Sequence, residues 1–263
     1  MRPLSKLFAI GLVSLVAACG GASDSAPSPL SKHFDDMHIA RVPIDQQRAA
    51  IEGVQSAYQV AKMENANAEA EESEAKQQLT VVKNDHKATK LAVDSAISNK
   101  KSAEGSADNN RINQAAKELH AAEALQKAGA ARVKYYEAYT NWLKRHHRFT
   151  LENMYWREAQ FELAKAQLAQ KNNVSPKGVQ YDWFPKQEAE RNKRVASAKQ
   201  KADSEKQKAT GAREGWLKQQ AEADKENGRG SNMPDPMAPK TAPAPMVTPA
   251  TITPAAPAPA ASE

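Results

Sequence analysis

Apolar residues return every seven positions over most of this chain. One row reads Ile44, Ile51, Tyr58, Asn65, Glu72, Leu79, His86, Val93. A second reads Val54, Ala61, Ala68, Ala75, Val82, Thr89, Ala96, Ala103. The rows lie three or four positions apart, as the two core rows of a heptad do, so the spacing predicts a helix over about 44–104. The second row is nearly all small and lets a neighbouring helix come close. Asn65, Glu72 and His86 break the first row, and polar residues at such positions cost stability while fixing register. A second helix is predicted over about 110–172, after the Gly and Asx residues of 105–110. Its core row is Ala121, Ala128, Tyr135, Trp142, Phe149, Trp156, Leu163, with Tyr139, His146, Ala159 and Ala166 beside it. A weaker seam through Phe184, Val195, Ala198, Ala202, Ala209, Ala212 and Trp216 predicts a third helix over about 185–227.

These patterns give an all-α fold, an elongated antiparallel three-helix bundle or coiled coil running up-down-up. Short connections make consecutive helices antiparallel neighbours. About 60 residues per arm make a hairpin roughly 90 Å long. Residues near 135–163 should face roughly 50–80, giving a thick base and a thinner, alanine-lined tip near 90–125. The aromatic stripe of the second helix is expected in the core, with a groove for an apolar ligand as the alternative. No run alternates Val, Ile, Thr or aromatics between turns as strands do.

The ends are different material. Residues 19–43 open with Gly, Ser and Pro and are expected to be a flexible tether that lets the body stand off. Pro43 suits the first turn of a helix. Residues 228–263 hold nine prolines among Ala and Thr and are expected to be extended or disordered. The organisation is thus 1–18, 19–43, a helical body over 44–227, and a tail over 228–263.

The first 18 residues combine a basic start (Arg2, Lys6), an apolar run over 7–16 and small residues before Cys19, the one cysteine of the chain. That is the layout of a secretory signal, too short to span a bilayer as a stable helix. With Leu15-Val16-Ala17-Ala18-Cys19 it resembles a bacterial lipoprotein signal with its lipobox. The resemblance covers only these residues. It implies cleavage before Cys19, diacylglycerol on its sulfur and acylation of the new amino terminus. Gly20, in place of the aspartate that favours inner-membrane retention, points by the same resemblance to the outer membrane and a periplasm-facing body. A single cysteine leaves no intramolecular disulfide.

The formal charge of +6 falls to +4 without Arg2 and Lys6 and is mixed with opposite charge, which argues against nucleic acid as a partner. The six histidines lack metal-ligand spacing, and no phosphate-cradling loop or nucleophile elbow is present. No catalytic residue, metal or cofactor is expected. Lys144, Arg145 and Arg148 form a basic cluster, with Lys193-Arg194 and Lys199–Lys201 adding charge on the third helix. A solvated face is the plain reading, and contact with an anionic surface is the functional one. The expected role is a non-enzymatic, lipid-anchored envelope protein, a coiled-coil scaffold or adaptor with an envelope protein as partner. The alternatives are a membrane-shaping module similar in outline to BAR-type dimers, or a periplasmic holdase chaperone. The polar breaks leave a homodimer open.

Overall fold

The computed structural model describes residues 26–174, 176–228 and 230–238. Three long helices carry the body: α1 (Ile44–Glu104), α2 (Asn109–Lys171) and α3 (Trp183–Asn227). Two short 3-10 turns, Leu30–Lys32 and Asp36–His38, precede them, and no strand occurs among the described residues. Residues from Gly230 onward form a separate unit, of which the described part is a short turn closed on Asp235.

The helix ends follow from local chemistry. Pro43 caps α1, and Gln46 and Gln47 donate their backbone N–H groups to its carbonyl. The Asp108 carboxylate accepts from the N–H groups of Asn110 and Arg111, two of the donors that a helix start leaves unpaired. Gly228 closes α3 with φ +66°, a left-handed conformation that glycine adopts without a Cβ penalty.

The helices are antiparallel, as the pairs across them show. Tyr58 stacks on Phe161, Glu72 meets His147, and Asp85 meets Arg132. From α3, Glu188 takes the Trp156 indole N–H, Arg194 grips Glu152, and Trp216 stacks on Tyr135. Both α1 and α3 pack along α2. The body is therefore arranged around one central helix, with the other two on its flanks.

Small residues make this close approach. Ala61, Ala68, Ala75, Val82, Ala96 and Ala103 are all buried, one heptad row of α1. Gly129 of α2 lies so near that a Cβ there would meet His86 Nδ1 at 3.2 Å and Thr89 Oγ1 at 3.3 Å. The polar breaks find partners inside the chain. Glu72 takes Lys76 and His147, and the Thr150 hydroxyl faces Asn65 Oδ1 at 3.4 Å. They therefore supply no argument for a second copy.

Three expectations need correction. Residues 26–43 do not behave as a free tether. Leu30, Phe34, Ile39 and Val42 are buried, the last three in one cluster with Ile51, Ala166, Leu168, Ala169 and Phe184. Apolar side chains at spacings of three to five, folded by two tight turns, anchor the segment to the base. Residues 19–25 lie outside the described residues, as does most of the tail. The aromatic stripe is the second correction. Tyr135 is fully buried, but Trp142, Phe149, Trp156 and Leu163 are only half-buried. Tyr136, Leu143, Thr150, Ala159 and Ala166 of α2 are buried more deeply than these four, because flanking helices need two contact faces rather than one. Third, Ile44 opens its row in solvent.

Candidate functional site

The half-buried strip of α2 lies between its neighbours. Lys206 of α3 sits over the Trp142 ring at 5.4 Å. His146 faces Glu64 and Glu71 of α1 and Asp203 and Lys206 of α3, and burial holds its pKa below the ordinary histidine value. His147, one residue on, points to α1 and bonds Glu72 at 2.8 Å. Burial pushes the Glu72 carboxyl up, but hydrogen bonds from Lys76 and His147 outweigh it and leave the group below its usual range.

On another face of α2, the basic residues assemble. Arg145, Arg148 and Glu152 recur at three- and four-residue spacing on α2, and Arg194, Ser197, Ala198 and Lys201 do so on α3. Together they line a recess of about 60 Å³. Glu152 is 3% exposed and organises it. Its Oε1 accepts from Arg148 Nη2 at 2.6 Å and Arg194 Nη2 at 2.8 Å, and its Oε2 accepts from Arg194 Nε at 2.9 Å. The hydrogen bond to Glu152, working against burial, raises the already high pKa of Arg194. Four cations thus surround one lining carboxylate. Of the basic residues singled out from sequence, Arg145 and Arg148 of α2 and Arg194 and Lys201 of α3 belong here. Lys144 is exposed and does not line the recess. Arg194 and Lys201 complete it, and only the folded chain brings them to Arg145.

One turn away on α3 is a second arginine station. Arg191 is 2% exposed and donates to Tyr155 O, to Glu158 Oε2 at 2.7 Å and to Ser28 O at 2.8 Å. Glu158 Oε1 also accepts from the Leu30 N–H. Lys165, nearly fully buried, bridges Asp36 and Glu162. Burial raises the Glu162 pKa despite that lysine. These bonds clasp the amino-terminal segment to α2 and α3, a role that sequence patterning passed over. A cleft of about 540 Å³ opens beside the clasp, between Lys32, Asp36, Tyr58, Phe161 and Glu162.

Cys19 lies outside the described residues. Among the described residues, no group of three His, Cys, Asp or Glu side chains is placed to hold a metal ion. None of the described helices is long and apolar enough to cross a membrane. His33 lies tilted against the Trp183 ring, and His38 meets the Phe34 ring edge-on. What the recess offers chemically is a set of cations ordered around Glu152. No protein-family model, no curated protein and no solved structure matches this chain.

Proposed function

We propose that this protein is a lipid-anchored envelope scaffold, a rigid helical strut held at the outer membrane through Cys19 and presenting its flanks to another envelope protein in the periplasm. The observation that carries the reading is the clasp. Residues 28–42 are sewn into the base of the bundle by Ser28, Leu30, Phe34, Asp36, Ile39 and Val42. An acyl group on Cys19 would then be joined to a stiff body through only the eight residues 20–27, which span at most about 28 Å. The arms of about 60 residues reach roughly 90 Å. Helices of this length, zipped by small residues, resist bending, and their flanks offer long surfaces rather than an enclosed pocket.

The test is crosslinking and recovery of the full-length protein from cells, with Cys19→Ala as the comparison. A defined envelope partner captured with the wild type and lost with Cys19→Ala, which should move to the soluble fraction, is the expected result. Recovery of many unrelated unfolded clients by both forms would replace the scaffold with a holdase. An unacylated wild-type Cys19, read by mass spectrometry, would remove the anchor altogether.

A further inference from the structure

We infer that the cleft between the amino-terminal turns, α1 and α2 binds an aliphatic amine, taking its ammonium group on Glu162. Such a site needs neither the anchor nor an envelope partner.

Three segments of the chain build the cleft. Ser31, Phe34 and Asp36 come from the amino-terminal turns, Tyr58 from α1, and Phe161 and Glu162 from α2. Its volume of about 540 Å³ falls within the roughly 300–1,000 Å³ usual for organic ligands.

Glu162 selects the chemistry. It lines the cleft, yet it is only 2% exposed. Its Oε1 accepts from Lys165 Nζ at 2.8 Å, and its buried Oε2 has no partner. An ionised carboxylate only accepts, so the group missing from this oxygen is a donor. A buried polar atom left unpaired costs free energy, which a ligand donor would recover. Charge makes that donor a cation. Lys165 acts on Glu162 against the carboxylates of Asp36 and Glu158, and it is itself shared with Asp36. Arg191 is bonded to Glu158. Three carboxylates thus share two cations, one positive charge short. Burial raises the Glu162 pKa despite Lys165, as befits a carboxylate with too little counter-charge.

The walls suit an ammonium on a methylene stem. Phe34, Tyr58 and Phe161 give the cleft an aromatic lining, and aromatic rings attract ammonium groups. The chain's own lysines already use these rings: Lys62 Nζ lies 4.2 Å from the Tyr58 centroid and Lys165 Nζ 4.7 Å from that of Phe161. A bare metal ion fits less well, since among the described residues no three His, Cys, Asp or Glu side chains converge on one. Lys32 and Lys62 also line the cleft, both exposed, and they define the rival occupant, an anion.

The experiment uses the full-length chain in a non-ionic detergent. Calorimetric titrations at neutral pH compare n-pentylamine, n-pentanol and pentanoate, which share one stem. n-Pentylamine is expected to bind, and the other two on the order of tenfold or more weakly. Glu162→Gln can still accept from Lys165 but has no charge, and it should weaken n-pentylamine by about tenfold or more. Circular dichroism checks that its helices persist. If they do not, Ser31→Trp decides. Ser31 is exposed, and a bulky indole in its place should fill the cleft and abolish binding. Ser102→Trp, exposed near the far end of α1, should leave binding at the wild-type level. No binding of n-pentylamine, equal binding of n-pentanol, tighter binding of pentanoate, or no loss in Ser31→Trp would overturn the site. Acetyl-Gly-Lys-Gly-amide carries the same ammonium on a peptide. Binding tighter than that of n-pentylamine, and lost in Ser31→Trp, assigns the cleft to a lysine side chain of another protein; weaker binding assigns it to a free amine.

Discussion

His146 shows how a single side chain can serve two helices at once. It stands on the central helix and faces carboxylates of α1 and α3, with Lys206 beside it. Burial favours its neutral form, so its folded pKa lies below the unfolded value of about 6.5. The unfolded chain therefore binds the proton more readily. Stability from this group is present above about pH 6.5 and is lost as pH falls through the folded value. His86 is held down by burial and Lys90, and it acts in the same direction. Urea midpoints should fall between pH 7.5 and pH 5.5, and His146→Phe should flatten part of that fall. An unchanged slope in His146→Phe would show that the titration lies elsewhere. Arg191 gives the complementary case, a buried cation of α3 whose partners come from two other segments, α2 and the amino-terminal stretch. Arg191→Ala leaves Glu158 buried without its main counter-charge and removes the bond to Ser28. Breaking a buried pair in this way costs about 3–5 kcal/mol. Limited proteolysis should then cut within residues 26–42 before the helices, whereas in the wild type this segment should be protected.

At the scale of helices, close approach matters more than bulk. The alanine row of α1 and Gly129 of α2 bring two backbones together where leucine would hold them apart. Gly129→Leu must displace His86 and Thr89, and overpacking of this kind costs about 1–3 kcal/mol. Thermal unfolding should show the loss, and Gly53→Leu, which meets nothing within 4 Å, should not. The helix limits and the antiparallel register were legible because a seven-residue repeat and Asx-Gly breaks are local signals. The burial of the aromatic stripe was not. A heptad row reports one contact face, and α2 has two, so Trp142 and Phe149 fell between the flanks. The clasp was missed for a different reason. Leu30, Phe34, Ile39 and Val42 follow no single period, and nearby Gly, Ser and Pro suggested free chain. Of the recess, Arg145, Arg148, Arg194 and Lys201 were all visible in sequence as basic residues, but only the first two could be set side by side. Their partners on α3 lie more than forty residues away, and nothing but the packing of α3 on α2 joins them.

For the whole molecule, the flanked arrangement decides what surface is offered. A closed triangle of helices would hide the strip of Tyr139, Trp142, His146 and Phe149. The central-helix arrangement leaves it half-covered while burying Tyr135 against Trp216. The basic recess and the clasp share the α2–α3 side, within one turn of α3. The attachment of the amino-terminal segment and the basic recess therefore lie on neighbouring turns of α2 and α3.

The clasp also sets how the protein carries load. With the anchor proposed above, a force drawn along residues 19–27 arrives first at Ser28 and Leu30, where Arg191 and Glu158 hold the backbone, and next at Asp36 on Lys165. None of these bonds lies within the seams that zip α1 to α2 or α2 to α3. Under tension the segment would peel from the base as a fuse, lengthening the link to the membrane by its own contour while the strut keeps its shape. Residues 28–42 span at most about 50 Å when extended. In the proposed anchored strut, the reach of the foot is thus adjustable without melting a helix.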